Sequence, residues 1–298
     1  MKKYSIAIPL FAMLLTACDP TIEEEGSIAA SITETDLQAR VELTQTTVGQ
    51  NKFTFSTNPT LTVQVLDQDG AILATGTEGS IIGTPPLTAL TVRAINQDGS
   101  IVSYSQDVTI NEYVDVPSIY KQLFGPEYNS RTWVWDTTDA PNYWGNGGYM
   151  SDSGPNWWKF EDIASGNTNE AFDNQCIEKG YPDDTLEKGW MTFTLNGKKV
   201  EMSRGESGNI SWDLSAIAKE GWDVGTLSFS GTNPLLGVQP NSDNAPEYNY
   251  HILVSDDNHL YLCAPEAGAG EGGTAWFWMF KAKEYQAIKT HLYPKQTD

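Results

Sequence analysis

The stretch that decides the fold is Met191-Thr-Phe-Thr-Leu-Asn-Gly-Lys-Lys-Val-Glu-Met202. Apolar and polar side chains alternate on both sides of Asn196-Gly197, and this period of two is that of a β-strand with one buried face. Asn-Gly is the preferred two-residue hairpin connection, because both positions adopt positive φ. The stretch therefore predicts a β-hairpin, and we expect an all-β chain around it.

Two similar segments lie earlier in the chain, TVQVLDQDGAI at 62–72 and TVRAINQDGSI at 91–101. Each alternates into an Asp-Gly turn, in which Gly70 or Gly99 supplies the left-handed position. The surrounding residues 27–116 are rich in Thr, Val, Ile and Ser and contain no Trp, His or Cys. This composition favours strands. We predict an Ig-like β-sandwich over 27–116 that serves as a spacer.

Residues 118–298 form the predicted second domain, after a short helical turn at 119–124. Strand patterns recur at 226–229, 250–254, 260–263 and 275–280, and helical spacing occurs at 284–292. Many short strands joined by long loops rich in Gly, Asn and Asp are typical of antiparallel double-sheet folds. We therefore predict a larger β-sandwich of jelly-roll type.

Composition excludes several classes of partner. The 298 residues include 39 acidic and 18 basic side chains, and the formal net charge is −21. Nucleic-acid binding and adhesion to anionic lipid both need clustered Lys and Arg, so neither is expected. Apolar residues make up 39% of the chain, which is enough for a packed core.

The N-terminus has the pattern of a targeting segment. Lys2 and Lys3 precede an apolar run over 6–15 that is too short to span a bilayer, and the run ends in Leu15-Thr-Ala-Cys18. This ending resembles the lipobox of bacterial lipoproteins. The resemblance implies a signal peptide at 1–17 and a lipid anchor on Cys18, with acyl chains as the contact with the membrane. An ordinary secretory signal is the alternative.

Residues 18–26 form an acidic tether, Cys-Asp-Pro-Thr-Ile-Glu-Glu-Glu-Gly. It resembles the acidic signal that exports Bacteroidetes lipoproteins to the cell surface, although 20–22 interrupt the acidic run. The resemblance implies an outer-membrane lipoprotein that faces the cell exterior. A solvated linker without a targeting role is the alternative.

The aromatic loops are the main functional signal. Segments RTWVWD at 131–136, NYWGNGGY at 142–149 and GPNWW at 154–158 combine Trp and Tyr with Gly, Asn and Asp. Aromatic rings stack on the apolar faces of sugars, while amide and carboxylate groups bind hydroxyls. The candidate glycan ligands are Trp144, Tyr149, Trp157, Trp158, Asn146 and Asp136. The alternative is a Trp-rich core, which we expect for Trp276 and Trp278 because they share one strand face.

These motifs and the two-part layout resemble surface glycan-binding lipoproteins of Bacteroidetes polysaccharide-utilisation systems. In that family a PKD- or Ig-like module precedes a glycan-binding β-sandwich. The resemblance implies non-catalytic capture of a polysaccharide or oligosaccharide, with an outer-membrane glycan transporter as a neighbouring protein. No residue-level ligand pattern of the family can be aligned with this sequence.

Other functions stay open. The sequence lacks the Glu-x-Asp-x-x-Glu run of laminarinase-like jelly rolls, and His251, His259 and His291 form no zinc-hydrolase motif. We therefore do not expect catalysis, although a polysaccharide lyase or glycoside hydrolase remains an alternative. An adhesin or another protein-partner lipoprotein is the first alternative, ahead of either enzyme.

Two structural features are also at issue. Cys176 and Cys263 could form a disulfide outside the cytoplasm. Acidic loops suit structural calcium, and the candidate ligands are Asp173, Asn174, Asp183 and Asp184. No EF-hand pattern occurs, so solvated carboxylates are the simpler interpretation, and we predict no metal or cofactor.

Overall fold

The computed structural model describes residues 31–140, 142–159 and 168–285. The predicted signal peptide, the Cys18 anchor and the acidic tether lie outside these ranges, as does most of the helix predicted at 284–292. Strands dominate the described chain, so the all-β prediction is confirmed at this level.

The first half of the described chain forms two antiparallel sheets, with strand orders β1-β2-β5 and β4-β3-β6-β7. The elements are α1 Glu34–Arg40, β1 Val41–Gln45, β2 Lys52–Thr57, β3 Val63–Asp67, β4 Ile72–Gly76, β5 Glu78–Ile82, β6 Ala89–Ile95 and β7 Ile101–Asp107. The two predicted hairpins are confirmed as β3–β4 and β6–β7. Gly70 and Gly99 have φ of 84° and 83°, as their turns require.

One hydrophobic core lies between these two sheets. Phe53 and Phe55 of β2 pack in the same cluster as Val65 of β3 and Val92 of β6. Alternation along each strand places these side chains on inner faces. A separate cluster begins at Ile119, so the second half of the chain has its own core.

The second half of the described chain holds two further helices and the strands from β8 onward. Its elements are α2 Ser118–Phe124, β8 Ser130–Trp135, β9 Trp144–Gly148, α3 Thr168–Glu178, β10 Met191–Thr194, β11 Lys199–Met202, β12 Ser207–Asp213, β13 Thr226–Ser230, β14 Val238–Gln239, β15 Ala245–Pro246, β16 Asn249–Ser255, β17 His259–Pro265 and β18 Thr274–Ala282. The predicted hairpin is confirmed as β10–β11, with Met191 opposite Met202.

Within the described ranges, eight of these strands close into one antiparallel ring. Strands β8, β10, β11, β12, β13, β16, β17 and β18 pair in chain order, and β18 pairs back with β8. This is an up-and-down β-barrel. The jelly-roll prediction is wrong here, because a jelly roll needs two sheets and Greek-key crossovers, whereas these strands pair as successive neighbours around one closed sheet.

Large side chains fill the interior of the barrel. Rings contact one another from Trp133 to Phe193, then to Phe229, Tyr250 and Trp278. Such packing suits eight strands, whose ring is just wide enough to be filled by side chains. We therefore look for a functional site on the outside of the barrel.

Strand β9 is not one of the eight strands of the ring but pairs, among the described strands, with β18 alone. It pairs with β18 from Thr274 to Trp278, beyond the point where β8 pairs with that strand. The segment around β9 then covers the outward-facing side chains of β16, β17 and β18. Among the described helices, none is long and apolar enough to cross a membrane.

Candidate functional site

A surface cavity of about 450 Å³ lies between the segment 139–156 and strands β17 and β18. We call it the outer groove. Its volume is in the range of small-molecule sites. Its walls combine amides, carboxylates, one phenol ring and a thioether, from Asp139, Ala140, Asn142, Asp152, Ser153, Gly154, Pro155, Asn156, Tyr261 and Met279.

Glycines allow the wall of the outer groove to form. Gly145 has φ of 155°, and a Cβ at this position would lie 2.5 Å from the backbone oxygen of Trp158. A Cβ at Gly147 would lie 3.1 Å from the backbone oxygen of Gly154. The Gly-Asn-Gly-Gly run of β9 therefore lets the returning chain pack directly on the strand.

Asp152 fixes the turn that follows β9. Its Oδ2 atom accepts a hydrogen bond of 2.7 Å from the Gly148 amide, and its Oδ1 atom accepts one of 3.3 Å from the Asn156 side chain. The Trp222 indole donates to the Asp152 carbonyl at 2.7 Å. A carboxylate has about four acceptor positions, so Asp152 retains acceptor capacity toward the groove.

Asn142 stands out among the lining residues. The residue is only 7% exposed, but its side-chain amide makes no hydrogen bond to a described residue and is open to the volume of the groove. An amide in this position offers one donor group and one acceptor to a ligand. A ligand that offers hydroxyl groups would satisfy both the donor and the acceptor of this amide.

A cluster of carboxylates and one histidine closes one end of the groove. His259 Nε2 lies 3.0 Å from Asp139 Oδ2, and Nδ1 lies 3.1 Å from the Asp256 carboxylate. The Tyr261 hydroxyl donates to Asp136 at 2.6 Å. Asp136 is fully buried, and its other oxygen accepts two backbone amides.

These contacts shift the pKa values of His259 and Asp139. Burial alone would lower the pKa of His259, but hydrogen bonds to Asp139 and Asp256 outweigh it, so the pKa is raised. Hydrogen bonds from Tyr285 and His259 hold the pKa of Asp139 below its usual value. The two carboxylates therefore favour the protonated form of the imidazole. Asp136, Asp139 and His259 have ligand atoms within 4.8 Å of one another, so they are the residues best placed to hold a metal.

The predicted aromatic ligands differ in how far they are buried. Trp144 is fully buried and packs against Trp276 and Trp158, with ring centroids 4.8 and 5.7 Å away. Its assignment as a sugar contact is wrong, because pairing with β18 turns the ring inward. Trp158 is half-buried in the same cluster. Trp157 is 49% exposed and remains available to a ligand.

The other predicted ligands have structural partners. The Asn146 side chain accepts a 3.0 Å hydrogen bond from the Trp158 amide. Tyr149 is buried, and Asp136 lies behind Tyr261 rather than at the surface of the groove. Of the six predicted ligands, Trp157 is thus the one with an exposed ring, while Asp136 reaches the site through Tyr261.

A buried relay that the sequence analysis missed anchors the segment around β9. The Tyr149 hydroxyl lies 3.0 Å from His251 Nε2, and His251 Nδ1 lies 3.0 Å from the buried Asp223 carboxylate. Trp222 packs against both rings. The alternation of β16 places His251 on its outward face, and this was a usable sequence signal that the side chain contacts another segment. Its partners Tyr149 and Asp223 could not be inferred, because they come from distant loops.

The cysteine and calcium expectations have different outcomes. Cys176 and Cys263 are buried free thiols, so the disulfide prediction is wrong. Cys176 lies 3.6 Å from the Asp184 carbonyl, while Cys263 faces outward on β17. Of the candidate calcium ligands, Asp184 pairs with Arg204 and Asp183 with Lys188, and the expectation of no bound metal stays a prediction. Asp173 accepts the Leu186 amide.

Comparison with known proteins adds no relative: no protein-family model matches the sequence, and no curated protein matches it either. The outer groove and the side chains around it are therefore the basis for a functional proposal.

Proposed function

We propose that this chain is a non-catalytic surface lipoprotein that binds a polysaccharide or oligosaccharide in the outer groove, for capture before uptake. The observation that carries the proposal is the side-chain amide of Asn142, which lines the groove, makes no hydrogen bond to a described residue and is open to a ligand there. A sugar hydroxyl both donates and accepts, so it complements an amide in either orientation.

The remaining lining residues suit the same ligand. Asn156 and Asp152 bring further polar atoms to the wall, and Tyr261 and Met279 supply a less polar surface. The C–H face of a pyranose packs on such a surface, while its hydroxyls bind amides and carboxylates. The exposed Trp157 ring follows Asn156 directly and offers a further contact to a longer chain.

The arrangement of the chain supports surface display. The lipobox-like ending at Cys18 would anchor the protein to the outer membrane, facing the cell exterior. The two sheets of residues 41–107 share one core, which agrees with an Ig- or PKD-like spacer that holds the barrel away from the lipid. A glycan transporter of the outer membrane is the partner that this proposal implies.

Polysaccharide lyase chemistry is the enzymatic alternative, because a tyrosine and a histidine stand at the end of the groove. A lyase base must lose its proton near working pH. Burial and the neighbouring Asp136 carboxylate raise the pKa of Tyr261 far above that range. His259 is held between two carboxylates that favour its protonated form. Little phenolate of Tyr261 therefore forms at neutral pH, and both ring nitrogens of His259 are engaged by carboxylates, which favours binding over catalysis.

The test is affinity electrophoresis of residues 19–298 in gels that contain plant, algal, fungal or host polysaccharides. Release of reducing ends and of unsaturated products is measured in parallel. We expect retardation by at least one polysaccharide and release from none. Asn142→Ala should abolish the retardation, whereas Asn174→Ala, an exposed amide of α3 outside the groove, should leave it unchanged. Absence of retardation across the panel would refute the proposal.

A further inference from the structure

We infer that the outer groove accepts uncharged or amine-bearing sugar units and excludes units that carry carboxylate or sulfate groups. This inference rests on the proposed function, and it names the ligand class of the same site. Two lining side chains, Asp139 and Asp152, are carboxylates. The described lining includes neither Lys nor Arg.

The side chains behind the wall keep the region negative. Asp136 lies behind Tyr261, and Asp256 lies behind His259. The nearby cations are already engaged, since His259 bridges two carboxylates and Lys281 donates to the Thr138 hydroxyl. Carboxylates therefore outnumber cations around the groove.

The hydrogen-bonding capacity of the wall points the same way. Carboxylates only accept, so the acceptor positions that Asp139 and Asp152 keep beside their protein hydrogen bonds can bind only donors of the ligand. Sugar hydroxyls and ammonium groups donate, whereas a uronate or sulfate adds more acceptors and a negative charge. Amide donors come from Asn142 and Asn156, and an anion bound there would face the two carboxylates at close range.

The charge of the whole chain adds a weaker, longer-range effect. A net charge of −21 repels anionic polymers at low salt, and salt screens this repulsion over about 10 Å at 0.1 M. Asp139 and Asp152 line the groove, so they would act on a bound unit at contact distance, well inside this screening length. Binding in high salt therefore separates exclusion by the groove from repulsion by the whole protein.

The experiment compares matched polymers in affinity gels at low and high salt. The pairs are methyl-esterified polygalacturonan with polygalacturonan, hydroxyethyl cellulose with carboxymethyl cellulose, and laminarin with sulfated laminarin; chitosan is the amine-bearing probe. We expect retardation by a neutral polymer or chitosan and not by anionic members at either salt concentration. Stronger retardation by an anionic member would overturn the inference and leave the proposed function standing. Retardation by no polymer would instead refute the proposed function.

Two isosteric substitutions test whether the carboxylates of the groove cause the exclusion of anionic sugar units. We call the affinity for the neutral polymer divided by the affinity for its anionic counterpart the gap. Asp139→Asn and Asp152→Asn should each narrow this gap by about tenfold, because each removes a like charge at the site. Asp183→Asn removes the same charge from an exposed position outside the groove and should leave the gap unchanged. An unchanged circular dichroism spectrum and thermal midpoint show that a variant is folded. An unchanged gap in both groove variants would refute the inference.

Discussion

The Nε2 atom of His259 lies 3.0 Å from Asp139 Oδ2, so a histidine of β17 holds the segment that forms one wall of the outer groove. The second nitrogen faces Asp256 in the turn between β16 and β17. The imidazole thus connects the barrel to the wall of the site.

This connection predicts a pH dependence. The pKa of His259 is raised above its usual value of 6.5 in the folded protein. A raised pKa means that the stabilisation is fully present below about 6.5 and is lost as the pH rises through the folded value. We expect the free energy of unfolding and the glycan affinity to fall over that interval, as measured by urea unfolding and affinity electrophoresis at successive pH values. His259→Gln should remove the dependence, and an unaltered pH profile in this variant would contradict the assignment.

The second prediction concerns a buried ion pair. Arg204 Nη1 lies 2.7 Å from Asp184 Oδ2, and both side chains are almost fully buried. Arg204→Met leaves the Asp184 charge buried without its partner, which costs about 3–5 kcal/mol of unfolding free energy. Adding Asp184→Asn should recover part of that loss, as a double-mutant cycle by urea unfolding would measure. Additive losses would show that the two side chains are not coupled.

The third prediction tests the close approach at β9. Gly145→Ala places a Cβ 2.5 Å from the Trp158 carbonyl at a positive φ, so the returning segment must move. We expect a loss of about 1–3 kcal/mol and weaker glycan binding. Gly270→Ala is the matched control, since its Cβ would meet no atom within 4 Å. Equal thermal midpoints for the two variants would contradict the packing described here.

The fourth prediction separates two tryptophans of the same segment. Trp144→Ala removes a fully buried ring and should cost about 3–5 kcal/mol of stability. Trp157→Ala removes a half-exposed ring and should leave the thermal midpoint nearly unchanged while it lowers affinity for long glycans. Calorimetry and affinity electrophoresis of both variants give the comparison. Full glycan affinity in Trp157→Ala would restrict the site to the outer groove.

The fifth prediction concerns the thiols. Burial raises the pKa of both Cys176 and Cys263, so little thiolate forms at neutral pH. We expect slow reaction with a thiol reagent in the native protein and rapid reaction of both after unfolding. The thermal midpoint should be the same with and without a reducing agent. A lower thermal midpoint in the reducing agent would show that Cys176 and Cys263 do form a disulfide.

Local elements were predictable because their signals are local. The turn glycines Gly70 and Gly99 and the alternation around Asn196-Gly197 identify hairpins without any tertiary information. Closure of the barrel was not predictable in this way. It depends on the pairing of β18 with β8, and strand alternation is the same in a barrel and in a sandwich.

None of the six predicted ligands lines the outer groove, although their neighbours Asn142 and Asn156 do. Gly and Asn around Trp144 suggested an exposed loop where the chain adds a strand to β18. No sequence pattern identifies Asn142, because its place on the wall of the groove depends on tertiary packing. The carboxylates around His259 meet through tertiary contacts between distant turns.

Closure between β8 and β18 also sets the order in which this protein can become functional. The groove takes Asp139 from just after the first strand of the ring and Met279 from the last. A chain emerging from its N-terminus therefore has no binding site until the last strand has been made. Until then β8 and β17 are unpaired edge strands that can pair with strands of other chains. We therefore expect correct folding to require that newly made copies of this chain are kept apart until the barrel closes.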